Sequence, residues 1–249
     1  MSPYRLADKN VQPVIRRLNS LRKLSPAGVA ALEKAILERI HRAGAGEDLI
    51  CEGDRPDSVR MILSGWLCRY KTLADGRRQI VNFVLPGDCC DAHIYLMPEM
   101  DHTIATLTPV VYSEMEVGKF ADMVSSERTL AEALWCEMLV NTAAAREWII
   151  NVGRRTALER VAHLLCEIFE RLRVVGMVDG ATCAFPVNQM DLADATGLSA
   201  VHLNRTLQAL RSADLIVLRD RTLTINDIEA LKSAGLFVPN YLHLSQENS

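Results

Sequence analysis

The stretch CCDAHIYLMPEMDH, residues 89–102, gathers Cys89, Cys90, Asp91, His93, Asp101 and His102 within fourteen positions. Side chains of these types support two kinds of chemistry. Neutral imidazole is a ligand for iron and zinc, so His93, with His102 and the nearby aspartates, marks a candidate haem or metal site. Vicinal thiols beside a histidine mark a candidate thiol sensor, although adjacent cysteines are poorly placed to form a disulfide with each other. The plainest alternative is a packing and turn element that holds no ligand. The spacing matches no compact metal motif, and the residues alone leave all three readings open.

A second set of polar residues lies in NQMDLADATGLSAVHLNRTLQALRSADLI. This stretch divides into a helix over residues 189–196, a turn at Gly197, and a second helix capped by Ser199 and running to about residue 213. Leu192, Ala193, Leu198, Leu203, Leu207 and Leu210 supply the contact between the two helices, and the small Ala193 and Gly197 let them cross closely. The outward face of the second helix carries Ser199, His202, Asn204 and Arg205. Arginine donates two hydrogen bonds to guanine O6 and N7, so Arg205 is the best base reader. His202 and Asn204 can meet bases or phosphates, and Ser199 can donate to a phosphate. LIVLRDRTLTI follows as two short strands, which adds a wing. The competing reading is an ordinary αα-hairpin. The wing, the polar face and the long helix upstream favour a winged helix-turn-helix that reads DNA.

Other elements must hold these residues in place. Residues 1–45 read as helical. From residue 48 to about 116 the chain is cut into short apolar runs by Gly and Asp, the pattern of a β-roll or sandwich, with turns at Ala74-Asp75-Gly76 and Pro86-Gly87-Asp88. Residues 125–152 contain no Pro or Gly and read as one long helix, with Ser126 as its cap. Leu134, Met138, Asn141, Ala145, Trp148 and Val152 repeat at heptad spacing, and this seam is read as a dimer interface, with Asn141 fixing register. Packing of that helix on its own domain is the alternative. Gly153 is expected to interrupt the helix and act as a hinge. A further amphipathic helix, with Leu158, Val161, Leu165, Ile168 and Leu172 inward, leads to the DNA-reading module. The expected division is a sensor domain at 1–124, a dimerisation helix at 125–153 and a DNA-binding domain at 154–249.

The totals narrow the function classes. The 249 residues are 49% hydrophobic and 24% charged, with a net charge of −3. Such a chain buries a sizeable core and is not disordered. Nine Arg oppose eight Asp or Glu between Arg154 and Arg221, so any DNA-binding charge must be sorted onto one face. The first apolar run is short and flanked by Arg16, Arg17, Arg22 and Lys23, and no run is long enough to span a bilayer. A cytoplasmic protein with no membrane partner is therefore expected. The seven cysteines include no C-x-x-C pair, which argues against a zinc ribbon or an N-terminal iron–sulfur cluster. No phosphate loop, H-E-x-x-H or G-x-S-x-G motif is present, so an enzyme is not expected.

With these parts in order, the chain resembles the CRP/FNR superfamily of bacterial transcription regulators over nearly its whole length. GDRPDSVRMILSGWLCRYKTLADGRRQIVNFVLPGD (53–88) is similar to the glycine-punctuated roll of a cyclic nucleotide-binding-like domain. RRTALERVAHLL (154–165) is similar to the helix leading into the DNA-binding domain, and residues 191–216 resemble the family's helix-turn-helix. The resemblance implies an α+β chain with an N-terminal cyclic nucleotide-binding-like β-roll, a long dimerisation helix and a C-terminal winged helix-turn-helix. It also implies a homodimer on a palindromic double-stranded operator, with RNA polymerase as a further partner. Departures from the family pattern matter. Where cAMP-binding relatives carry Gly-Glu and Arg-Ser, this chain has Asp91-Ala92 and His102-Thr103, so cAMP is not expected as effector. His93 falls near the position of the haem-ligating histidine of a carbon monoxide-sensing member, which keeps haem among the alternatives. Val201 stands where relatives commonly carry Glu. It cannot accept from cytosine but can contact a thymine methyl. A module that has lost DNA binding and serves only in protein interaction is the reading from a different class.

Overall fold

The computed structural model describes residues 10–90, 92 and 96–244. Helices α1 (Gln12–Leu21) and α2 (Pro26–Glu38) come first. Each carries proline in its first turn, where a missing N–H costs no hydrogen bond, and Ser25 caps α2 by accepting from Gly28 N. The helical reading to residue 45 overruns. Ile40–Ala43 forms a strand, β1, because pairing with a neighbouring strand satisfies its backbone groups as a last half-turn of helix would not.

Seven further strands complete the roll: β2 (Asp48–Ile50), β3 (Ser58–Ser64), β4 (Leu67–Thr72), β5 (Arg78–Val84), β6 (Cys89–Cys90), β7 (Thr103–Thr106) and β8 (Val110–Glu116). They form two antiparallel sheets ordered β1-β8-β3-β6 and β2-β7-β4-β5. Gly76, at φ 87°, closes the β4–β5 hairpin in a conformation that L side chains resist. Gly87 has φ 99°, and a Cβ there would lie 2.7 Å from Pro13 O, so this turn lets α1 rest directly on it. Ile50, Ile62, Leu67, Val84, Ile104 and Val110 fill the interior of the roll.

The long helix divides differently from the sequence reading. Val117–Ser126 is a separate helix, α3, and Ser126 ends it with its hydroxyl on Met123 O instead of capping the next. After one extended residue, Glu127, α4 runs Arg128–Arg154. Gly153 does not interrupt it; the helix passes through, at the modest cost a glycine imposes in a helix interior. The break falls at Arg155, which is extended. Thr156 then caps α5 (Ala157–Val174) in a reciprocal box with Glu159. A strong start signal, not a weak residue, places the joint.

The heptad seam also divides. Leu134 and Trp148, at 1% and 7% exposure, are buried in their own chain, whereas Met138 and Val152, at 46% and 41%, face outward beside Ala145. Asn141 is half-buried between the two faces. The outward stripe is Trp135, Met138, Leu139, Ala145, Ile149 and Val152. Apolar residues lie on two sides of α4, and spacing alone does not say which side the domain takes.

The remainder is β9 (Val178–Asp179), β10 (Thr182–Ala184), α6 (Gln189–Thr196), α7 (Ala200–Ser212), β11 (Ile216–Arg219), β12 (Thr222–Ile225), α8 (Ile228–Ala234) and a 3-10 turn at Pro239–Leu242. The strands form one sheet, β11-β12-β10-β9. In α5 every residue from Val161 to Leu172 is buried, whereas Leu158, expected inward, is partly exposed. The roll and the C-terminal part share one core. Trp66 meets Phe185 edge-on at 5.8 Å between centroids, and Phe83 meets Trp148 at 6.0 Å.

Candidate nucleic-acid interface

The helix-turn-helix is built by local signals that agree. Asn188 caps α6 by accepting from Asp191 N at 2.9 Å. Gly197 takes the left-handed conformation, φ 64°, which ends α6 and turns the chain. Ser199 caps α7 by accepting from His202 N. Leu203, Leu207 and Leu210 of α7 pack inward with Leu192, Ala193 and Ala195 of α6. The opposite face is left to solvent: Ser199, His202, Asn204 and Arg205 are all exposed, as is Val201 at 64%. The four expected contact residues thus share the first two turns of one helix.

Charge is sorted as DNA binding requires. Helix α7 contains Arg205, Arg211 and His202 and no acidic residue. Several acidic groups of the neighbouring elements are held in other contacts, although in the wing Asp220 pairs with Arg219 at 3.2 Å. Arg78 of β5 binds Asp194 at 2.8 Å and also Asp191. Glu159 is used in the α5 cap, and Glu167 and Glu170 are buried. An open groove of about 380 Å³ runs between the start of α5 and α7, lined by Thr156, Leu158, His202, Arg205 and Thr206. The wing adds Arg219 and Arg221 beside a tight turn in which Asp220 and Arg221 both have positive φ, 51° and 59°.

Arg160 holds this unit to α4. Its guanidinium donates to Asn151 O at 3.1 Å, Val152 O at 2.9 Å, Arg155 O at 3.1 Å and Thr196 O at 2.7 Å. One side chain so satisfies open carbonyls at the ends of α4 and α6 and in the joint between α4 and α5. Sequence reading found neither Arg78 nor Arg160: the partners of Arg78 lie on a distant element, and those of Arg160 are backbone carbonyls at the ends of α4 and α6, which side-chain patterns do not announce.

The candidate sensor residues are not brought together in the same way. Asp91 and His93 lie outside the described residues. Cys89 and Cys90 sit on β6, at 4% and 3% exposure. Cys89 joins the core under α1, and Cys90 joins the interior of the roll. Alternation along a strand sends the two thiols to opposite faces, so they do not form one vicinal dithiol site. His102 precedes β7 in the other sheet. Its Nδ1 lies 2.7 Å from Asp101 Oδ1, and this contact holds the Asp101 carboxyl below its ordinary range. Among the described residues, no three His, Cys, Asp or Glu side chains stand together as a metal site would need. Burial pushes the thiols of Cys68, Cys166 and Cys183 up to about 12, which leaves them unreactive at neutral pH.

Comparison with known proteins agrees with this geometry. Residues 40–127 match the model of the cyclic nucleotide-binding domain, and residues 159–234 match that of the Crp-like helix-turn-helix domain. The nitrogen fixation regulation protein FixK of Bradyrhizobium diazoefficiens is 31% identical over 79% of this chain and 82% of its own. The protein of the same name from Rhizobium meliloti is 29% identical over 76% of this chain and 83% of its own. The transcriptional activator protein FnrL of Cereibacter sphaeroides is 28% identical over 78% of this chain and 77% of its own. Among solved structures, FixK2 from Bradyrhizobium japonicum superposes with a TM-score of 0.70 at 23% identity, covering 78% of this chain and 96% of that one. The chain belongs to the CRP/FNR family and is a DNA-binding transcription regulator. Its relatives are transcription regulators, not enzymes. No helix among the described residues is long and apolar enough to cross a membrane.

Proposed function

We propose that the protein works in the cytoplasm as a homodimer that presents two copies of α7 to a palindromic operator, with half-sites about one helical turn apart. The observation that carries this reading is the exposed face of α7, with its reading residues and no carboxylate. The outward apolar stripe of α4 supplies the dimer face. It replaces the seam read from spacing: Met138, Ala145 and Val152 stay in the interface, and Leu134 and Trp148 do not. Arg205 reads a guanine, and Asn204 and His202 contact bases or phosphates. Ser199 approaches a phosphate, and Val201 contacts a thymine methyl. The signal enters through the N-terminal roll, and cAMP is not the effector. RNA polymerase is the further partner that family membership supports.

Selection from a pool of random duplexes tests the reading. It expects enrichment of a two-fold symmetric sequence, bound by a dimer, with affinity that falls steeply as salt rises. Enrichment of no sequence, or of one without two-fold symmetry, counts against it.

A further inference from the structure

We infer that residues 235–242 form a strap across the joint between α4 and α5, which fixes the direction in which the helix-turn-helix leaves α4, and that Tyr241 is its positioning residue. This inference rests on the dimeric DNA-binding reading above. Only Arg155 and Thr156 separate the two helices, and both are extended. Such a link is free to pivot unless other groups hold it. Arg160 holds one side, and the C-terminal segment holds the other.

The strap begins at Gly235, where α8 ends. A Cβ at this position would lie 2.6 Å from His163 N and 2.9 Å from Ala162 C, so the strap backbone lies directly on that of α5. Phe237 and Tyr241 are buried, and both rings pack on the His163 imidazole, at 5.0 and 6.0 Å between centroids. The Tyr241 hydroxyl donates to Glu167 Oε2 at 2.8 Å and lies 3.2 Å from His163 Nε2. Trp148 Nε1 of α4 donates to the same carboxylate at 3.1 and 3.2 Å. Glu167 is fully buried on α5 and is therefore gripped from α4 on one side and from the strap on the other. Arg155, in the joint itself, reaches Leu236 O at 3.5 Å and Glu147 at 2.5 Å.

The polarity of this contact is informative. Burying a carboxylate is costly, and an apolar residue at 167 would pack as well. What the carboxylate adds is direction: its donors fix where Trp148 and Tyr241 stand relative to α5. The chain of contacts continues to the roll. Arg171 lies 3.5 Å from Glu167, 2.6 Å from Asp88 and 2.9 Å from Phe83 O. In a dimer, a small change of angle at this joint moves the two α7 helices apart or together. The strap thus sets half-site spacing while touching no DNA.

The test uses the full-length chain and the duplex that the wild type selects from the random pool. Companion duplexes have one or two base pairs added or removed at the centre. The variants are Tyr241→Phe, which keeps the ring and removes the hydroxyl, and Gly235→Ala, which lifts the strap from α5. Melting curves establish that each is folded. The expected result is that both variants lose about tenfold of the wild-type discrimination between correct and altered spacing, because a loosened joint is no longer preorganised. Affinity for a single half-site should stay the same. A uniform loss at every spacing would make the segment merely structural and overturn the inference. Unchanged discrimination would overturn the strap alone. A wild type that selects no two-fold sequence would overturn the DNA reading and the strap with it.

Discussion

At the scale of single residues, two side chains carry opposite lessons. Arg205 is exposed on an acid-free helix, and the role proposed for it rests on chemistry that any arginine has. Arg205→Ala should cost about 1–3 kcal/mol in operator binding and relax preference at one base pair per half-site. Equal losses on operator and random duplexes would reduce it to a phosphate contact. Glu137 has a role that no sequence motif announces. It is buried on α4 and accepts from Cys89 N at 3.2 Å, in the neighbourhood of Arg17, Arg69 and Asp88. Burial pushes its carboxyl up from 4.5 to about 7. Below pH 4.5 it is protonated in both folded and unfolded chains. Between 4.5 and about 7 the unfolded chain ionises first, so the folded state loses stability as pH rises through this window. Glu137→Gln escapes the loss. Its melting temperature should equal the wild type's near pH 4.5, exceed it increasingly toward pH 7 and then level off, for a gain of roughly 1–3 kcal/mol. His163 works the other way. Burial lowers its imidazole to about 4, so its contribution is full above pH 6.5 and is lost as pH falls through about 4.

At the scale of elements, α4 supplies the interface of the proposed homodimer. Its inward residues pack within their own chain, and its outward apolar stripe is the face proposed to meet a second copy. Ile149, at 69% exposure, belongs to that stripe. Ile149→Asp should leave the fold intact and shift the sedimentation of the protein to that of a monomer, because it places a charge where two apolar stripes would meet. Leu134→Asp should instead unfold the chain, since Leu134 is in the core. If Ile149→Asp remains a dimer, the interface lies elsewhere. The wing carries strain of its own: Asp220 and Arg221 both hold positive φ without being glycine. Arg221→Gly should raise stability by about 0.5–1 kcal/mol in a melting experiment, while removing one cation from the DNA side.

At the scale of the whole molecule, the DNA-reading part is not a loose appendage. Arg78 of the roll grips Asp191 and Asp194 of α6, and Gln79 donates to Asp194 O at 2.6 Å. The shared core of Trp66, Phe83, Trp148 and Phe185 runs beneath these polar contacts. Arg78→Ala leaves the buried Asp191 without its cationic partner, and such a loss costs about 1–3 kcal/mol. Amide exchange should then quicken in residues 189–197 before it changes in the roll. Unchanged exchange there would mean that apolar contact alone holds α6 on β5.

The sequence by itself determined what local rules govern. The cap at Ser199, turns at Gly76, Gly87 and Gly197, and strand-length apolar runs are each decided within a few residues, so the roll, the helix-turn-helix and the face of Arg205 were legible in the sequence; the caps at Ser25 and Asn188 are local too but went unread, and the cap expected at Ser126 falls instead at the end of α3. The tertiary structure decided what depends on distant partners. Which side of α4 is inward follows from the domain packed against it, and spacing is the same for both sides. The joint fell at Arg155, not Gly153, because the Thr156–Glu159 cap outweighs one glycine's cost in a helix. Arg78 meets residues up to 116 positions away, Arg160 reaches Thr196 36 positions on, and Tyr241 meets Glu167 74 positions back; only folding brings such groups within reach of each other.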